Sequence, residues 1–332
     1  MKKGFYSLLM MALVVLGANA QQSFYNPVVP EIVQYKVTEG VKYGEGKVKV
    51  DNKIATKDLT MDVYYPVAEA EGPRPAVLLS YGGSFHRGNP RVPYNGFGGQ
   101  TTTMSQYAMA YAAEGFTVFT IDYRVAPDNP VVDTPEGYSD EDLDTGIYSA
   151  PATIAQTNMI RAQMGLEPLA VENAEVVLRA TLRGACEDLR TAIRHIKKEA
   201  TTYHIDPDKI AIGGFSAGGV MSINVAFGMK EEVAAVFTNS GFPVAFKMDK
   251  LVTESEKNPP IMMFMADNDL PVVTLATSPF LQILDKNNVE YHFNWVPGFG
   301  HFYPGGAVSL SDKGDKMPVI VRTIEFLKEK LQ

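Results

Sequence analysis

Residues 214–218, with the sequence GFSAG, combine residue types and spacing that can support nucleophilic chemistry. They follow the apolar run 209–213 and precede an amphipathic segment at 220–229. A strand, a sharp turn and a helix in this order are typical of a nucleophile elbow, in which small neighbours permit a tight turn around the serine. The hydroxyl would then lie beside a helix N-terminus, whose free N–H groups can stabilise a developing oxyanion. The pattern predicts that Ser216 is a nucleophile.

A serine needs a general base, and the chain offers five histidines. His301 lies in the glycine-rich segment 297–302, directly after the last expected strand, so it should reach the sheet edge that carries Ser216. His86 follows the first core strand and is a second candidate. The other three have structural interpretations: His195 on a helix surface, His204 in a turn that could cap that helix, and His292 inside a strand. We therefore expect His301 to be the base.

The histidine needs a carboxylate to fix its tautomer and to stabilise the imidazolium. Asp267 and Asp269 both follow the strand that ends at Met265, at the same expected edge of the sheet. We favour Asp269 because it lies further into the turn, and we assign Asp267 to capping or orienting the loop. Asp267 stays open as the alternative.

A glycine-rich segment after the first core strand, residues 81–85 (YGGSF), fits an oxyanion hole. Adjacent glycines let the backbone turn its N–H groups toward a reaction centre without a Cβ in the way. We expect the donors to be the N–H groups of Gly83 and Ser84, joined by that of Ala217 after the nucleophile. The predicted site uses no metal and no cofactor.

The elements that must position these residues alternate from residue 75 onward. Apolar strands bounded by helices predict a mostly parallel sheet with helices on both faces, an α/β architecture. Before residue 75, the period-two alternation at 33–50 and 59–65 predicts an antiparallel edge. The expected strands are 75–80, 116–123, 209–213, 233–238, 260–265 and 290–296, and the expected helices are 103–114, 175–203, 220–229, 275–286 and 316–331.

The longest expected helix, 175–203, has an apolar stripe that includes Cys186, the single cysteine of the chain. Its helical spacing predicts a small buried side chain rather than a reactive thiol. Segments 188–190 and 194–198 are expected to form the solvent-facing side of this helix.

Residues 127–173 interrupt the alternation with a polar segment rich in Pro, Asp, Gly and Thr. The segment leaves after a strand and rejoins before a helix, which places it at the carboxyl edge of the sheet, where ligands bind. We expect a partial lid at the substrate entrance; a solvated insertion without a catalytic role is the alternative.

The order Ser216, Asp269, His301 is the nucleophile–acid–base order of α/β-hydrolases. The chain resembles bacterial carboxylesterases and lipases of that superfamily, in the branch similar to hormone-sensitive lipase, over about residues 73–331. The resemblance rests on segments 81–84, 122–127, 203–207 and 214–219 and on the loops of the acid and the histidine. It departs from the family pattern at Tyr81, in place of a histidine, and at Ser84, in place of a glycine. The resemblance implies the α/β-hydrolase fold and cofactor-free ester hydrolysis through an acyl-enzyme.

Composition narrows the setting. The 332 residues suit one domain with insertions as well as two, and we expect a single domain, 21–332. The formal net charge of −8 argues against a nucleic-acid partner. Two lysines, a short apolar run and an A-x-A pattern predict a signal peptide at 1–20, cleaved after Ala20, and hence a secreted or periplasmic protein. No segment is long enough to predict a membrane span.

The sequence thus predicts a secreted serine esterase acting on a small-molecule or carbohydrate-linked ester. Secreted members of the resembling family include acetyl xylan and feruloyl esterases, so acetyl or feruloyl esters of plant polysaccharides are candidate substrates. An exopeptidase or amidase on the same fold is one alternative, and a catalytically silent binding protein is another. The sequence specifies neither the acyl length, nor the alcohol, nor the oligomeric state.

Overall fold

The computed structural model describes residues 35–96, 98–132, 136–144, 146–255 and 257–332. The expected signal peptide, residues 1–20, lies outside these ranges. Strands β1 (Tyr35–Val50) and β2 (Lys53–Pro66) form an antiparallel hairpin. Asp51 and Asn52 make its two-residue turn with φ of 48° and 61°, a left-handed conformation that Asp and Asn tolerate better than most residues. The antiparallel edge predicted for this part of the chain is confirmed.

Ten strands make one large sheet, in the order β1-β2-β6-β3-β7-β8-β9-β10-β11-β12. The six neighbouring strands from β6 to β10 are all parallel, so their carboxyl ends lie at one edge. The remaining members are β3 (Arg74–Ser80), β6 (Thr117–Ile121), β7 (Ile205–Phe215), β8 (Ala235–Asn239), β9 (Ile261–Asn268), β10 (Tyr291–Gly300), β11 (Val308–Leu310) and β12 (Lys316–Pro318). A separate two-stranded ribbon pairs β4 (Asn95–Gly96) with β5 (Gly99–Gln100).

Helices cover both faces of this sheet. Every residue of β6 and of β8 is buried, as expected for strands that have helices above and below. The helices are α1 (Met104–Ala113), α2 (Gly146–Ser149), α3 (Pro151–Gln163), α4 (Val171–Lys198), α5 (Ala200–Tyr203), α6 (Ala217–Ile223), α7 (Met248–Leu251), α8 (Pro271–Lys286) and α9 (Val319–Leu331). The predicted fold class, a mostly parallel α/β sheet with helices on both faces, is confirmed.

Helix α4 buries the predicted stripe, and Cys186 on it is 1% exposed. One expectation for this helix is wrong: segment 188–190 is buried rather than solvent-facing. Asp188 is 1% exposed and accepts hydrogen bonds from the backbone N–H and the guanidinium of Arg124. The buried carboxylate is tolerated because its charge is paired and hydrogen-bonded.

The 127–173 segment is more regular than its composition suggests. It contains α2 and α3 and leads directly into α4. Pro151 occupies the first turn of α3, where the missing N–H of proline has no helical partner to lose. Gly165, with φ of 70°, follows the end of α3 in the left-handed conformation that commonly closes helices. The segment thus presents a helix, not an extended loop, at the carboxyl edge.

Candidate active site

Four of the parallel strands deliver polar side chains to the same edge of the sheet. Ser216 directly follows β7, Ser240 follows β8, Asp269 follows β9 and His301 follows β10. Because parallel strands all end at this edge, residues far apart in sequence meet there.

Ser216 stands on a strained turn between β7 and α6. Its φ of 52° and ψ of −114° are unusual for a residue with a side chain. Close backbone approach makes the turn possible: a Cβ on Gly214 or Gly218 would lie 2.1 or 2.0 Å from the carbonyl oxygen of Ser80 on β3. The turn is also held by the N–H of Ser216, which donates to the carbonyl of Asn239 at 2.9 Å. These contacts fix the position of the hydroxyl.

The three side chains expected to form the triad are joined in one hydrogen-bonded chain. Ser216 Oγ lies 2.9 Å from His301 Nε2, and His301 Nδ1 lies 2.6 Å from Asp269 Oδ1. Since a carboxylate only accepts, Nδ1 carries the proton and Nε2 is free to accept the serine proton. The Asp269 and His301 side chains are 0% and 4% exposed, so solvent competes little with these bonds.

Asp269 is stabilised as an anion despite its burial. Burial by itself would raise the pKa of its carboxyl, but hydrogen bonds from His301, Ser240 and the N–H of Leu270 outweigh it and hold the pKa below its ordinary value. Asp267, the alternative acid, is exposed and accepts from the N–H of Gly298 at 3.0 Å. It therefore orients the loop that carries His301 and does not contact the imidazole.

The sequence placed no hydroxyl group beside the expected acid, and the structure shows two. Ser240 Oγ donates to Asp269 Oδ2 at 2.5 Å, and Tyr303 Oη lies 3.2 Å from the same Oγ. Ser240 is fully buried. Ser240 directly follows a strand of the parallel sheet, and this position in the sequence could have predicted that it lies at the carboxyl edge.

The loop expected to form the oxyanion hole has a left-handed backbone at three successive residues. Gly83, Ser84 and Phe85 have φ of 110°, 53° and 61°. A Cβ on Gly83 would lie 1.9 Å from the carbonyl oxygen of Arg87, so only glycine fits there. Ser84 lines the same cavity as Ser216 and Ala217, and Ala217 begins α6, where its N–H has no intrahelical acceptor.

Three aromatic side chains support this loop from behind. Tyr94 Oη donates to the carbonyl of Gly82 at 2.7 Å, and Tyr123 Oη donates to that of Tyr81 at 2.9 Å. His86 Nδ1 lies 2.9 Å from the carbonyl oxygen of Ser84, and burial lowers the pKa of the imidazole. His86 is thus a neutral support of the loop rather than the partner of Ser216.

The other histidines have structural contacts. His204 ends α5 in the left-handed conformation, as a capping residue. His195, expected on the helix surface, is half-buried, and its Nε2 lies 2.9 Å from Tyr203 Oη. His292 in β10 contacts Glu290. Within the described ranges, no cluster of three or more potential metal ligands is found.

An apolar cavity of about 120 Å3 opens beside Ser216. Helix α3 and the first half of α4 form one side of it, and the segments after β8 and β9 form the other. Ile147, Thr157 and Ile160, all within 127–173, line it. No helix among the described residues is both long and apolar enough to cross a membrane.

Part of the sequence is similar to a protein-family model and to two curated proteins. The family model described as BD-FAE matches residues 169–253, which include the turn around Ser216. Acyl-protein thioesterase 1 of Debaryomyces hansenii is 30% identical over 134 residues, 39% of this chain and 52% of that protein. The Neurospora crassa protein of the same name is 32% identical over 100 residues, 29% of this chain and 41% of that protein. The chain thus spans about half the length of the curated relatives it matches.

Solved structures extend the likeness to nearly the whole chain. Esterase 2 of Thermogutta terrifontis, phosphoramylated by tabun, has a TM-score of 0.54 at 16% identity and covers 92% of this chain and 96% of its own. A truncated carbohydrate esterase from gut microbiota has a TM-score of 0.54 at 17% identity, covering 91% and 98%. Esterase B of Lactobacillus rhamnosis has 0.53 at 16% identity, covering 97% and 94%. The protein has the α/β-hydrolase fold, and its predicted resemblance to bacterial esterases of that fold is confirmed.

Proposed function

We propose that the protein is a serine hydrolase of carboxylic esters that uses Ser216, His301 and Asp269 as a catalytic triad. The observation that carries this proposal is the unbroken hydrogen-bonded chain from Ser216 Oγ through both imidazole nitrogens to Asp269. The strained turn around Ser216 and the esterase names of the similar structures add support.

The reaction begins when Ser216 Oγ attacks the ester carbonyl and His301 Nε2 takes the serine proton. Asp269 stabilises the resulting imidazolium and keeps its orientation. The N–H groups of Gly83, Ser84 and Ala217 donate to the oxyanion of the tetrahedral intermediate. His301 then gives its proton to the departing alcohol, which leaves an acyl-enzyme. Water, activated by the same histidine, releases the acid and regenerates the serine.

We assign residues 127–173 as a partial lid of a single domain that extends from 21 to 332. Support comes from α3, whose residues Thr153, Gln156, Thr157 and Ile160 line the cavity beside Ser216. A lid of this kind lowers the water content of the site, which strengthens the hydrogen bonds that catalysis uses.

The setting we propose is the periplasm or the cell exterior, reached through a signal peptide cleaved after Ala20. The first natural substrates to test are acetyl and feruloyl esters of plant polysaccharides. One similar structure is named as a carbohydrate esterase from gut microbiota, which favours this choice over other esters. Mass spectrometry of the protein exported by a bacterial host would identify its N-terminus.

The proposal is tested with p-nitrophenyl esters and two matched pairs of variants. We expect Ser216→Ala to lower kcat by about 10⁵- to 10⁶-fold, because the nucleophile is lost. Ser222→Ala is its control, since Ser222 is buried nearby and donates to the carbonyl of Gly218. Asp269→Asn should lower kcat by about 10⁴-fold through the wrong imidazole tautomer, whereas Asp267→Asn should keep most of the activity.

Undiminished turnover by Ser216→Ala would reject the proposal, and a larger loss in Asp267→Asn than in Asp269→Asn would reject the assignment of the acid. The alternatives separate in the same assay. An exopeptidase or amidase would cleave an aminoacyl amide faster than the matching ester, and a silent binding protein would not react with a fluorophosphonate.

A further inference from the structure

The cavity beside Ser216 is asymmetric with respect to the proposed triad. Ser84, Ser216 and Ala217 line it, so it adjoins the place where the proposed oxyanion donors meet the nucleophile. His301 and Phe302 are not among the described residues that line it. The imidazole instead packs between the rings of Phe215 and Phe302, with centroid separations of 5.1 and 5.2 Å.

The position of the cavity relative to His301 indicates where the acyl group and the alcohol of a bound ester would lie. The alcohol oxygen must lie next to His301 Nε2 to receive its proton, so the alcohol leaves on the histidine side. The acyl chain then extends away from the imidazole, past Ser84 and Ala217. Building on the proposed function, we infer that the cavity receives the acyl chain and restricts it to a short, unsubstituted hydrocarbon of about four to six carbon atoms.

The walls of the cavity are suited to hydrocarbon. Leu182 and Val220 are 4% and 2% exposed and contribute only carbon atoms, and no charged side chain is among the described residues that line it. Thr181 also lines it, but its hydroxyl donates to the carbonyl of Val177 at 2.7 Å and is already satisfied. Helix α3 adds the polar side chains of Thr153, Gln156 and Thr157 on one side. Against the walls formed by Leu182 and Val220, a polar substituent on the acyl chain would lose its hydrogen bonds to water, which is unfavourable.

The size of the cavity limits the chain. A volume of 120 Å3 is slightly smaller than the apolar cavity of about 150 Å3 that holds benzene in another protein. Benzene has six heavy atoms, so in proportion to that cavity about four to five heavy atoms fit beyond the carbonyl carbon. Butanoyl to hexanoyl chains match this room. A feruloyl group does not, so of the two natural esters proposed above this cavity accommodates the acetyl ester and excludes the feruloyl ester.

Helix α3 offers a residue that controls the length and a matched control. Ile160 is half-buried and lines the cavity, whereas the adjacent Met159 is 63% exposed on the solvent side of the same helix. A smaller side chain in place of Ile160 would enlarge the cavity, and a larger side chain would fill it. The same changes at Met159 alter neither wall nor volume.

The experiment measures kcat/KM for p-nitrophenyl esters from acetyl to dodecanoyl. We expect a rise of about fourfold per methylene as the chain fills the cavity, an optimum between butanoyl and hexanoyl, and a fall beyond it. Ile160→Ala should move the optimum about two carbons toward longer chains, and Ile160→Phe should move it toward acetyl. Met159→Ala should leave the profile unchanged.

Labelling of Ser216 by a fluorophosphonate, measured in parallel, separates two kinds of failure. A labelled enzyme with a flat profile, with an optimum at octanoyl or longer, or with an optimum that neither Ile160 variant moves overturns the acyl assignment alone. Loss of labelling together with absent hydrolysis of every ester overturns the proposed function and the acyl assignment with it.

Discussion

The carboxylate of Asp269 accepts hydrogen bonds from side chains and from the backbone. His301 and the N–H of Leu270 donate to Oδ1, at 2.6 and 2.8 Å, and Ser240 and the N–H of Ala266 donate to Oδ2, at 2.5 and 3.2 Å. A carboxylate that accepts several such bonds keeps its charge in a buried setting. Among the residues that the structure describes, Ser240 is the one side-chain donor to this carboxylate outside the proposed triad, so its contribution can be measured separately.

We expect Ser240→Ala to lower kcat by about tenfold, since a hydrogen bond to a charged group contributes about 1.5–3 kcal/mol. The pH profile should shift as well. Ser240 stabilises the deprotonated carboxylate, so its loss raises the pKa of the Asp269 carboxyl and moves the acidic limb of kcat/KM to higher pH. Rates measured from pH 4 to 9 would reveal this shift.

Ser240→Thr and Ser222→Ala are the controls for this positioning role. The threonine variant retains a hydroxyl, so the acidic limb of its kcat/KM profile should lie close to that of the wild type. Ser222→Ala removes a buried hydroxyl that does not contact Asp269, so it should not shift the limb. If Ser240→Ala reduced thermal stability but left the pH profile in place, Ser240 would be only a packing residue.

The turn that carries Ser216 requires β3, β7 and α6 to approach one another closely. The glycines on either side of the serine let two backbone segments approach the carbonyl of Ser80 more closely than any Cβ would allow. Turn geometry and catalytic geometry therefore depend on the same contacts.

We predict that Gly218→Ala costs about 1–3 kcal/mol of unfolding free energy, as expected for overpacking at a rigid contact. The displaced turn should also lower kcat/KM by about 10²-fold, because a shift of about 1 Å in a reacting group has this effect. Chemical denaturation and ester hydrolysis measure the two consequences.

Gly72→Ala is the matched control for this prediction. Gly72 is exposed, its φ is not left-handed, and a Cβ there would meet nothing within 4 Å. Its substitution should change the unfolding free energy by less than about 1 kcal/mol, in the stabilising direction, by restricting the unfolded chain. An equal loss of stability in both variants would contradict the steric argument.

The sequence predicts these elements well where periodicity is strong and local. Strands β3, β8 and β9 begin within two residues of their predicted starts, because buried parallel strands are short apolar runs. The sequence did not predict helix α3, because its residues are mostly polar and only a narrow side of the helix packs against the rest of the protein. The pairing of Asp188 with Arg124 was also missed, because a helix pattern shows which residues are charged but not which distant strand supplies a partner.

In the candidate site, too, some residues are identified by a local sequence pattern, whereas others depend on how distant segments pack. Ser216, Asp269 and His301 could be named from the sequence because each follows a recognisable strand. The hydrogen bond of Ser240 to Asp269 depends on the lateral order of β8 and β9 and on a side-chain direction, which no local pattern encodes.

At the scale of the whole molecule, Arg124 links the antiparallel edge to the helical layer. Its guanidinium donates to the carbonyls of Lys47 in β1, Val131 and Gly184, and pairs with Asp188 in α4. The carboxylate of Glu187 lies beside the same guanidinium, 3.8 Å away, and is 14% exposed. One arginine is thus shared by two acidic side chains, of which Asp188 has the hydrogen bonds.

Burial raises the pKa of Glu187 from 4.5 to about 7, against the opposing attraction of Arg124, Arg183 and Arg190. A carboxyl whose pKa is higher in the folded state leaves stability intact below pH 4.5 and reduces it as pH rises toward about 7. The charged form should therefore destabilise the fold at pH 8. Glu187→Gln, which is neutral at every pH, is expected to raise the unfolding free energy at pH 8 by about 1–3 kcal/mol and to leave it unchanged at pH 4.

Urea denaturation of the wild type and the variant at both pH values measures this difference. Glu325→Gln on the exposed side of α9 serves as the control, because a surface substitution should change the free energy by less than about 0.5 kcal/mol at either pH. If Glu187→Gln destabilised the protein at pH 8, the attraction to Arg124 would outweigh the cost of burying the charge. Glu187 would then act with Asp188 in holding the antiparallel edge to the helical layer.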